Sequence, residues 1–324
     1  MMKKGKESKG KSFAVYFGIS FVIFLAASMG ISTLAHKTGE IQLFGETEEN
    51  LMDDLEFLVD ADSEFYEAFQ DKNRINILLL GVNDGLTDTI MVGSFDTDAK
   101  HLDLISVPRD TYYHRDGYEG AAERKINAAY RGHAVNTAKA VSEILLGMPL
   151  HYYVIVDYEG IEKIVDSMGG VPMYIEFPMK YSDPTDKPPL YINIPAGEQV
   201  LDGEHAVQFL RYRKGYSEGD IGRVKAQQEF MKSAFRQMLG FELPKVAKTI
   251  FKNVESDITL DMTLKMAAKA AGMDADSMET YLMPATYENE APWYVYPDNA
   301  GIEEMIRTIY SIEAPAEEGT DAKE

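Results

Sequence analysis

Cysteine is absent from the 324 residues. That excludes thiol nucleophiles, thiolate metal sites, disulfides and lipidation at an N-terminal cysteine. Tryptophan occurs once. Basic residues are scarce, with 32 Lys and Arg against 53 Asp and Glu and a formal net charge of −21. Five of the lysines (Lys3, Lys4, Lys6, Lys9, Lys11) stand in the first eleven residues, so the remainder holds 27 basic and 52 acidic groups, a charge of −25. A body this acidic repels nucleic acid, and any anionic ligand must be held by a local cluster of Arg and Lys. No His-Glu-x-x-His pattern occurs, and the six histidines are scattered. They read as surface or core histidines rather than ligands.

Charge is also missing along the whole of Ser12–Ala35, SFAVYFGISFVIFLAASMGISTLA. A helix needs about 20 apolar residues to cross a bilayer, whereas the apolar core of a signal peptide runs only ~7–15. The run therefore reads as an uncleaved transmembrane helix. With lysines before it and an acidic body after it, the positive-inside rule leaves residues 1–11 cytoplasmic and the body outside the cell membrane. Residues 36–74 are acidic, with Leu51, Met52, Leu55, Leu58 and Val59 at helical spacing. They read as an extracytoplasmic stalk with one amphipathic helix, or as a helix packed on the domain that follows. The Ala/Glu/Gly/Asp-rich residues 314–324 read as a disordered tail.

Residues 75–313 form one folded domain in this reading. Ile75–Val82 is a continuous apolar run, as in a strand buried on both faces. Thr89–Phe95 and Leu102–Val107 are two more strands, joined by the turn Asp96–Lys100, and Pro108 stops the second. Strands are expected at Tyr152–Val156, Val171–Phe177, Leu190–Ile194 and near Thr280–Met283. Helices are expected at Ala134–Leu146, Glu159–Met168, Asp202–Leu210, Asp220–Leu239 and from Asn299. The alternation argues a single layered α/β domain, a central mixed sheet flanked by helices.

Four clusters carry chemistry. Gly81–Thr89 reads as a loop offering Asn83, Asp84 and Asp88, hard oxygen ligands suited to Mg²⁺ or Mn²⁺, although turn chemistry explains the same residues. Arg109 follows a strand end, where open α/β sheets place ligands; a surface ion pair is the plainer reading. Lys125, in Lys125–Tyr130, reads as solvated. The richest cluster runs from Phe209 to Gln228. Arg211 and Arg213 are two apart and share a face if that stretch is extended. Arg223 and Gln227 are four apart and share a helix face. Asp220 stands at the helix start, a natural cap. Guanidinium groups suit phosphate because they bind bidentately and stay charged. A salt-bridged helix face accounts well for Lys214 and Lys225, and poorly for the Arg-x-Arg pair.

In order along the chain come Asn76–Gly81, Leu86–Ile90, Ser106–Thr111, Lys125–Tyr130, Tyr152–Tyr158, Met168–Val171, Leu201–Ala206 and Arg211–Gln228. Together they resemble the LytR–CpsA–Psr family over roughly Asn76 to Leu239. The resemblance implies a phosphotransferase on a single-pass anchor. Such an enzyme moves a glycopolymer of the teichoic acid or capsular polysaccharide type from a polyprenyl (undecaprenyl) pyrophosphate carrier to peptidoglycan. By the same analogy Arg109, Lys125, Arg211, Arg213, Arg223 and Gln227 hold the pyrophosphate. Asp88, with Asp84 and Asn83, holds Mg²⁺ (or Mn²⁺), and the lipid tail lies in an apolar groove between sheet and helices. Arg109, Arg211 and Arg213 act on the transferring phosphoryl group, and Asp88 or Asp220 orients or deprotonates the acceptor hydroxyl. Family members read Gly-x-Asp where this chain has Gly81-Val82-Asn83, so Asp84 is the substitute carboxylate. That departure favours a rival reading, a regulatory protein that binds polyprenyl phosphates without transfer; a third reading is a polyprenyl pyrophosphatase, with water as the acceptor.

Overall fold

A computed structural model describes residues 55, 58–83, 85–185, 189–218, 220–238, 249–250, 252–259, 262, 266, 269–270 and 277–313. Residues 12–35, the tail 314–324, Asp84, and the side chains of Asn83 and Asp220 lie outside the described residues. Among the described residues no helix is long and apolar enough to cross a membrane.

Six strands form the central sheet: β1 (Arg74–Asn83), β2 (Leu86–Asp96), β3 (His101–Ser106), β4 (Tyr152–Val156), β9 (Glu255–Ser256) and β10 (Met278–Leu282). Their order is β10-β3-β2-β1-β4-β9. The pairs β1–β4 and β10–β3 are parallel and the other three are antiparallel, so the sheet is mixed. Two-stranded ribbons β5 (Val171–Ile175) with β8 (Gly197–Leu201), β6 (Met179–Asp183) with β7 (Leu190–Ile194), and β11 (Ala285–Tyr287) with β12 (Val295–Pro297) lie outside it. The helices are α1 (Tyr66–Phe69), α2 (Ala134–Ile144), α3 (Tyr158–Ser167), α4 (Gly203–Arg211), α5 (Asp220–Met238) and α6 (Asn299–Tyr310).

Strand alternation sends β1 into two cores. Ile77 joins Met91, Phe95, Leu104, Val165, Phe209 and Phe230 beneath α3, α4 and α5. Leu78 and Leu80 join Ile90, Val92, Ile105, Val141 and Ile306 beneath α2 and α6. Burial on both faces is why Ile75–Val82 reads as an unbroken apolar run. Val59, Phe65 and Phe69 are also buried in the second core. The folded unit therefore begins before Arg74, and this part of residues 36–74 packs on the domain instead of forming a stalk.

Asp157 caps α3 by accepting from the Gly160 N–H at 2.7 Å, and Asp202 caps α4 by accepting from the His205 N–H at 2.9 Å. The two helices press together where Gly203 meets the Glu162 carbonyl; a Cβ there would lie 2.3 Å from that oxygen. This contact sets the start of α4 against the middle of α3 and so fixes the packing of the two helices, of which Tyr158 begins one and Arg211 ends the other.

Candidate functional site

The segment Gly81–Thr89 is a tight hairpin and not a loop. β1 runs on to Asn83, β2 starts at Leu86, and Asn83 pairs with Leu86. Gly85 takes φ +76°, a conformation natural to glycine in a two-residue hairpin turn. Asp88 is the extra residue of a bulge in β2: Gly81 pairs with Thr89 and Val82 with Thr87, so the register shifts there and leaves Asp88 without a cross-strand partner.

Asp88 is the hub of the site. Arg109, just beyond the end of β3, donates from Nη1 to Asp88 Oδ1. Tyr158, the first residue of α3, donates its hydroxyl to Asp88 Oδ2 at 2.7 Å. Arg211, the last residue of α4, lays its guanidinium over the Tyr158 ring, 4.7 Å from the centroid. Burial, followed by the Asp88 charge and hydrogen bond, raises the Tyr158 phenol well above its ordinary range, with Arg211 and Arg109 pulling the other way. The phenol is thus a fixed hydrogen-bond donor. Four elements meet at one carboxylate, at the end of the sheet where β1, β3 and β4 finish.

Lys125 is not a solvated lysine. Its Nζ donates to Asp110 Oδ1 at 2.8 Å, and its side chain is only 18% exposed. The backbone clasps the same segments together, with the Asn127 N–H donating to the Arg109 carbonyl at 3.2 Å and the Ile126 N–H to the Thr111 carbonyl at 2.8 Å. Lys125, Asp110 and Arg109 therefore form one ledge beside Asp88.

Arg211 and Arg213 do not share an extended face. The helix α4 continues through Arg211, Tyr212 is its extended C-terminal cap, and Arg213 follows outside any regular element and is exposed. Arg223 and Gln227 do share a face of α5; both are buried, at 3% and 5% exposed. Gln227 Nε2 donates to the Leu210 carbonyl at 3.2 Å and ties α5 to the end of α4. Burial, followed by the Tyr212 charge, raises the Tyr216 phenol, and the Arg223 charge opposes that shift. Lys225 is exposed and pairs with Glu218 at 2.7 Å, while Lys214 sits over the Tyr181 ring. Neither belongs to the cluster. Tyr158 escaped sequence reasoning; the available signal was its place one residue after the helix cap that follows a parallel strand.

Two short patterns need structural context. Gly215-Tyr216-Ser217-Glu218-Gly219 has the letters of a nucleophile elbow, but its described residues form the turns between α4 and α5 rather than a strand-to-helix corner. Gly5–Ser12 has the letters of a phosphate-cradling loop, but it runs straight into the uncharged stretch and lies outside the described residues.

Beneath the cluster is a cavity of about 260 Å³ between the sheet and α3 and α5. Gly81, Thr89, Val156, Leu210 and Gln227 line it next to the charged groups, and Phe95 and Ile258 are also in its wall. Its lining is almost wholly apolar, with Gln227 the polar side chain shared with the cluster above. A ligand with a charged head and a hydrocarbon body matches this pairing in chemical terms.

Fold and site together define a layered α/β protein with an arginine-rich cluster set over an apolar cavity. The chain belongs to the LytR_cpsA_psr family, whose model matches residues 41–310. It is 27% identical over 254 residues to the polyisoprenyl-teichoic acid–peptidoglycan teichoic acid transferase TagV of Bacillus subtilis, covering 74% of this chain and 64% of that protein. It is 31% identical over 206 residues to the regulatory protein MsrR of Staphylococcus aureus, covering 60% of each. The matches thus span less than two thirds of these relatives' length. The crystal structure of B. subtilis TagV superposes with a TM-score of 0.62 at 26% identity over 76% of this chain and all of that one. TagT bound to LI-WTA shares the fold, with a TM-score of 0.58 at 21% identity over 74% of this chain and 90% of that one.

Proposed function

We propose that the protein is a phosphotransferase of the cell wall. It takes a glycopolymer phosphate from a membrane-held polyprenyl pyrophosphate and joins it to a peptidoglycan hydroxyl. The observation that carries this reading is the juxtaposition of Asp88, Arg109, Tyr158 and Arg211 with an apolar cavity directly below. The name of TagV, a teichoic acid transferase acting on polyisoprenyl-linked teichoic acid and peptidoglycan, supports it. The uncharged run Ser12–Ala35 would hold the domain against the outer face of the membrane, where such a carrier resides.

In this mechanism the prenyl chain enters the cavity, and the pyrophosphate meets Arg109, Arg211, Arg223 and Lys125, with Arg213 at the exposed rim. The acceptor oxygen forms a bond to the sugar-linked phosphorus as the bond to the bridging oxygen breaks. Polyprenyl phosphate leaves, and the hydroxyl proton passes to a carboxylate, Asp88 or Asp220. Charge builds on the leaving and equatorial oxygens, and fixed guanidinium groups offset it without reorganising; this is the main catalytic term in phosphoryl transfer. Gln227 ties α5, which carries Arg223, to the end of α4, which carries Arg211.

The donor set also suits a hard divalent cation. Each Asp88 oxygen spends one lone pair on Arg109 or Tyr158, and an ionised carboxylate has about four acceptor sites. Asp88, with Asp84 and Asn83, would hold Mg²⁺ or Mn²⁺, which supplies further charge neutralisation when bound.

The test is incubation of the full chain in detergent with a glycan-loaded polyprenyl pyrophosphate, peptidoglycan strands and Mg²⁺. Transfer of glycan with release of polyprenyl phosphate is expected. Arg109→Ala, Arg211→Ala and Arg223→Ala should each weaken donor binding about tenfold or more, since a charge-assisted hydrogen bond is worth roughly 1.5–3 kcal/mol. Lys225→Ala is the control, because exposed pairs contribute ~0–1 kcal/mol. Glycan phosphate released into solution, with water as the acceptor and no transfer to peptidoglycan, would replace the proposal with a pyrophosphatase. Binding with neither product would leave a binder, the reading favoured by Asn83 and by the regulatory name of MsrR.

A further inference from the structure

The end of the sheet where β1 and β3 begin carries a polar network that the phosphate chemistry does not use. Arg74 opens β1 and His101 opens β3, whereas Asp88 and Arg109 lie at the opposite end. Strand pairing brings the groups to one face. His101 and Asp103 are two apart in β3, and Asp103 pairs with Glu279 of the edge strand β10. Asp96 of β2 pairs with His101 on one side and with Arg74 on the other. Arg74 donates from Nη1 to Asp103 Oδ2 and from Nη2 to Asp96 Oδ2, each at 3.1 Å. Asp103 Oδ1 lies 3.1 Å from His101 Nε2. The Tyr281 hydroxyl donates to Glu279 Oε2 at 2.6 Å. Asp103 is buried, His101 is half-buried and Glu279 is exposed.

Among the described residues, His101, Asp103 and Glu279 each bring a ligand atom to within 4.8 Å of the other two. The 3.1 Å between His101 Nε2 and Asp103 Oδ1 is the spacing of neighbouring ligands on one ion. Atoms held ~2.1 Å from a metal stand about 3.0–3.4 Å apart in octahedral or tetrahedral arrangements. The exposed Glu279 closes the remaining distance by rotating its side chain. Charge also points to a cation. Three carboxylates, Asp96, Asp103 and Glu279, meet one guanidinium, Arg74, which leaves an excess of two negative charges when His101 is neutral. Burial raises the Asp103 carboxyl above its ordinary range, with the charges of His101 and then Arg74 opposing, so its ionised form gains from a further cation. Contacts behind the ligands hold them in place: Arg74 fixes Asp103, and the Tyr281 hydroxyl steadies Glu279. The donor set selects the ion. An imidazole nitrogen with two carboxylates suits Zn²⁺, whereas Mg²⁺ and Ca²⁺ take oxygen.

We propose that His101, Asp103 and Glu279 form a zinc site, with water completing the shell, that clamps the edge strand β10 to β3. Zn²⁺ takes the place of the hydrogen between His101 Nε2 and Asp103 Oδ1. The imidazole then keeps its proton at Nδ1, and any second proton passes to solvent. The role is structural, at the opposite end of the sheet from Asp88, and it does not rest on the transferase reading.

The full chain in detergent is stripped with a chelator and titrated with ZnCl₂ by calorimetry, with MgCl₂ in a parallel titration. Melting temperatures are read with and without Zn²⁺. One saturable zinc equivalent is expected, together with a rise of several degrees in melting temperature that Mg²⁺ does not reproduce. This first reading needs no variant to fold. His101→Ala and Glu279→Gln should each abolish the equivalent and the rise; Asp103 is left in place because Arg74 depends on it. Asp88→Asn should keep the equivalent, which separates the site from the phosphate cluster. His114→Ala should keep it too, because the exposed His114–Asp116 pair, at 3.3 Å, stands for adventitious surface binding. Absence of a saturable zinc equivalent overturns the site. So does an equivalent that survives both His101→Ala and Glu279→Gln, or one that is lost in Asp88→Asn or His114→Ala.

Discussion

Asp88 illustrates how one side chain can organise a site. Its two oxygens take separate donors, Arg109 and Tyr158, and Tyr158 in turn supports Arg211 through its ring. The phenol is therefore a positioning group whose contribution divides into a hydroxyl part and a ring part. Tyr158→Phe removes the first and keeps the second. It should weaken donor binding or turnover roughly tenfold, the scale of a hydrogen bond to a charged acceptor, with little change in melting temperature. Tyr158→Ala should cost more, because Arg211 loses its platform as well. Equal kinetics for wild type and Tyr158→Phe would show that the Asp88 contact is idle.

Between elements, the decisive contact is the close approach of α3 and α4. Gly203 is held with the Glu162 carbonyl where a Cβ would sit. Gly203→Ala must push the helices apart, an overpacking cost of about 1–3 kcal/mol. It should lower the melting temperature by several degrees and weaken donor binding, because Tyr158 and Arg211 lie at the ends of the two helices that move. An unchanged melt would mean that the junction yields freely. A second element-level expectation concerns His151, at the entry to β4. Burial holds its imidazole below the ordinary range. The Asn76 N–H donates to its Nδ1 at 2.9 Å, using an acceptor that only the neutral ring offers. Because the folded value is depressed, the unfolded chain binds the extra proton between that value and the ordinary ~6.5, and stability rises with pH through that window. Acidification from about pH 7 to about pH 5 should therefore lower the melting temperature, and His151→Gln should flatten this part of the profile. An identical slope in the variant would remove His151 as a cause.

On the scale of the whole molecule, the sheet separates two cores, and the one under α3, α4 and α5 borders the apolar cavity below Asp88. Ala234 lines that cavity and is 7% exposed. Ala234→Phe should fill part of the space at little cost in stability. Affinity for long polyprenyl pyrophosphates should fall toward that for a short-chain analogue, while the short analogue binds as before. Equal chain-length dependence in both proteins would place the hydrocarbon elsewhere. Topology gives the complementary check at this scale. Protease added to intact spheroplasts should degrade the body and spare the tip before the uncharged run, whereas a protected body would refute the outer location and the cell-wall role with it.

The sequence alone determined whatever depends on local pattern. Ile75–Val82 declared a doubly buried strand because both of its faces meet apolar cores, and Tyr152–Val156 and Leu190–Ile194 match the observed strands residue for residue. Asp157 and Asp202 mark helix starts because capping is a contact within one turn. The ordered motifs from Asn76 to Gln228 were enough for the family, and Arg223 and Gln227 share a face because helical spacing fixes it. Short polar strands such as Met179–Asp183 and Gly197–Leu201 were illegible, since each is half exposed and made regular only by its partner. Tertiary structure decided the rest: that Asp88 stands on a strand in a tight hairpin, that Lys125 is bound to Asp110, that Arg211 ends a helix while Arg213 turns outward, and that Tyr158 links Asp88 to Arg211. Those contacts join residues from 15 to 70 positions apart. No local pattern encodes such a distance; it is set only when the sheet order and the α3–α4 packing bring the chain ends of four elements to one point.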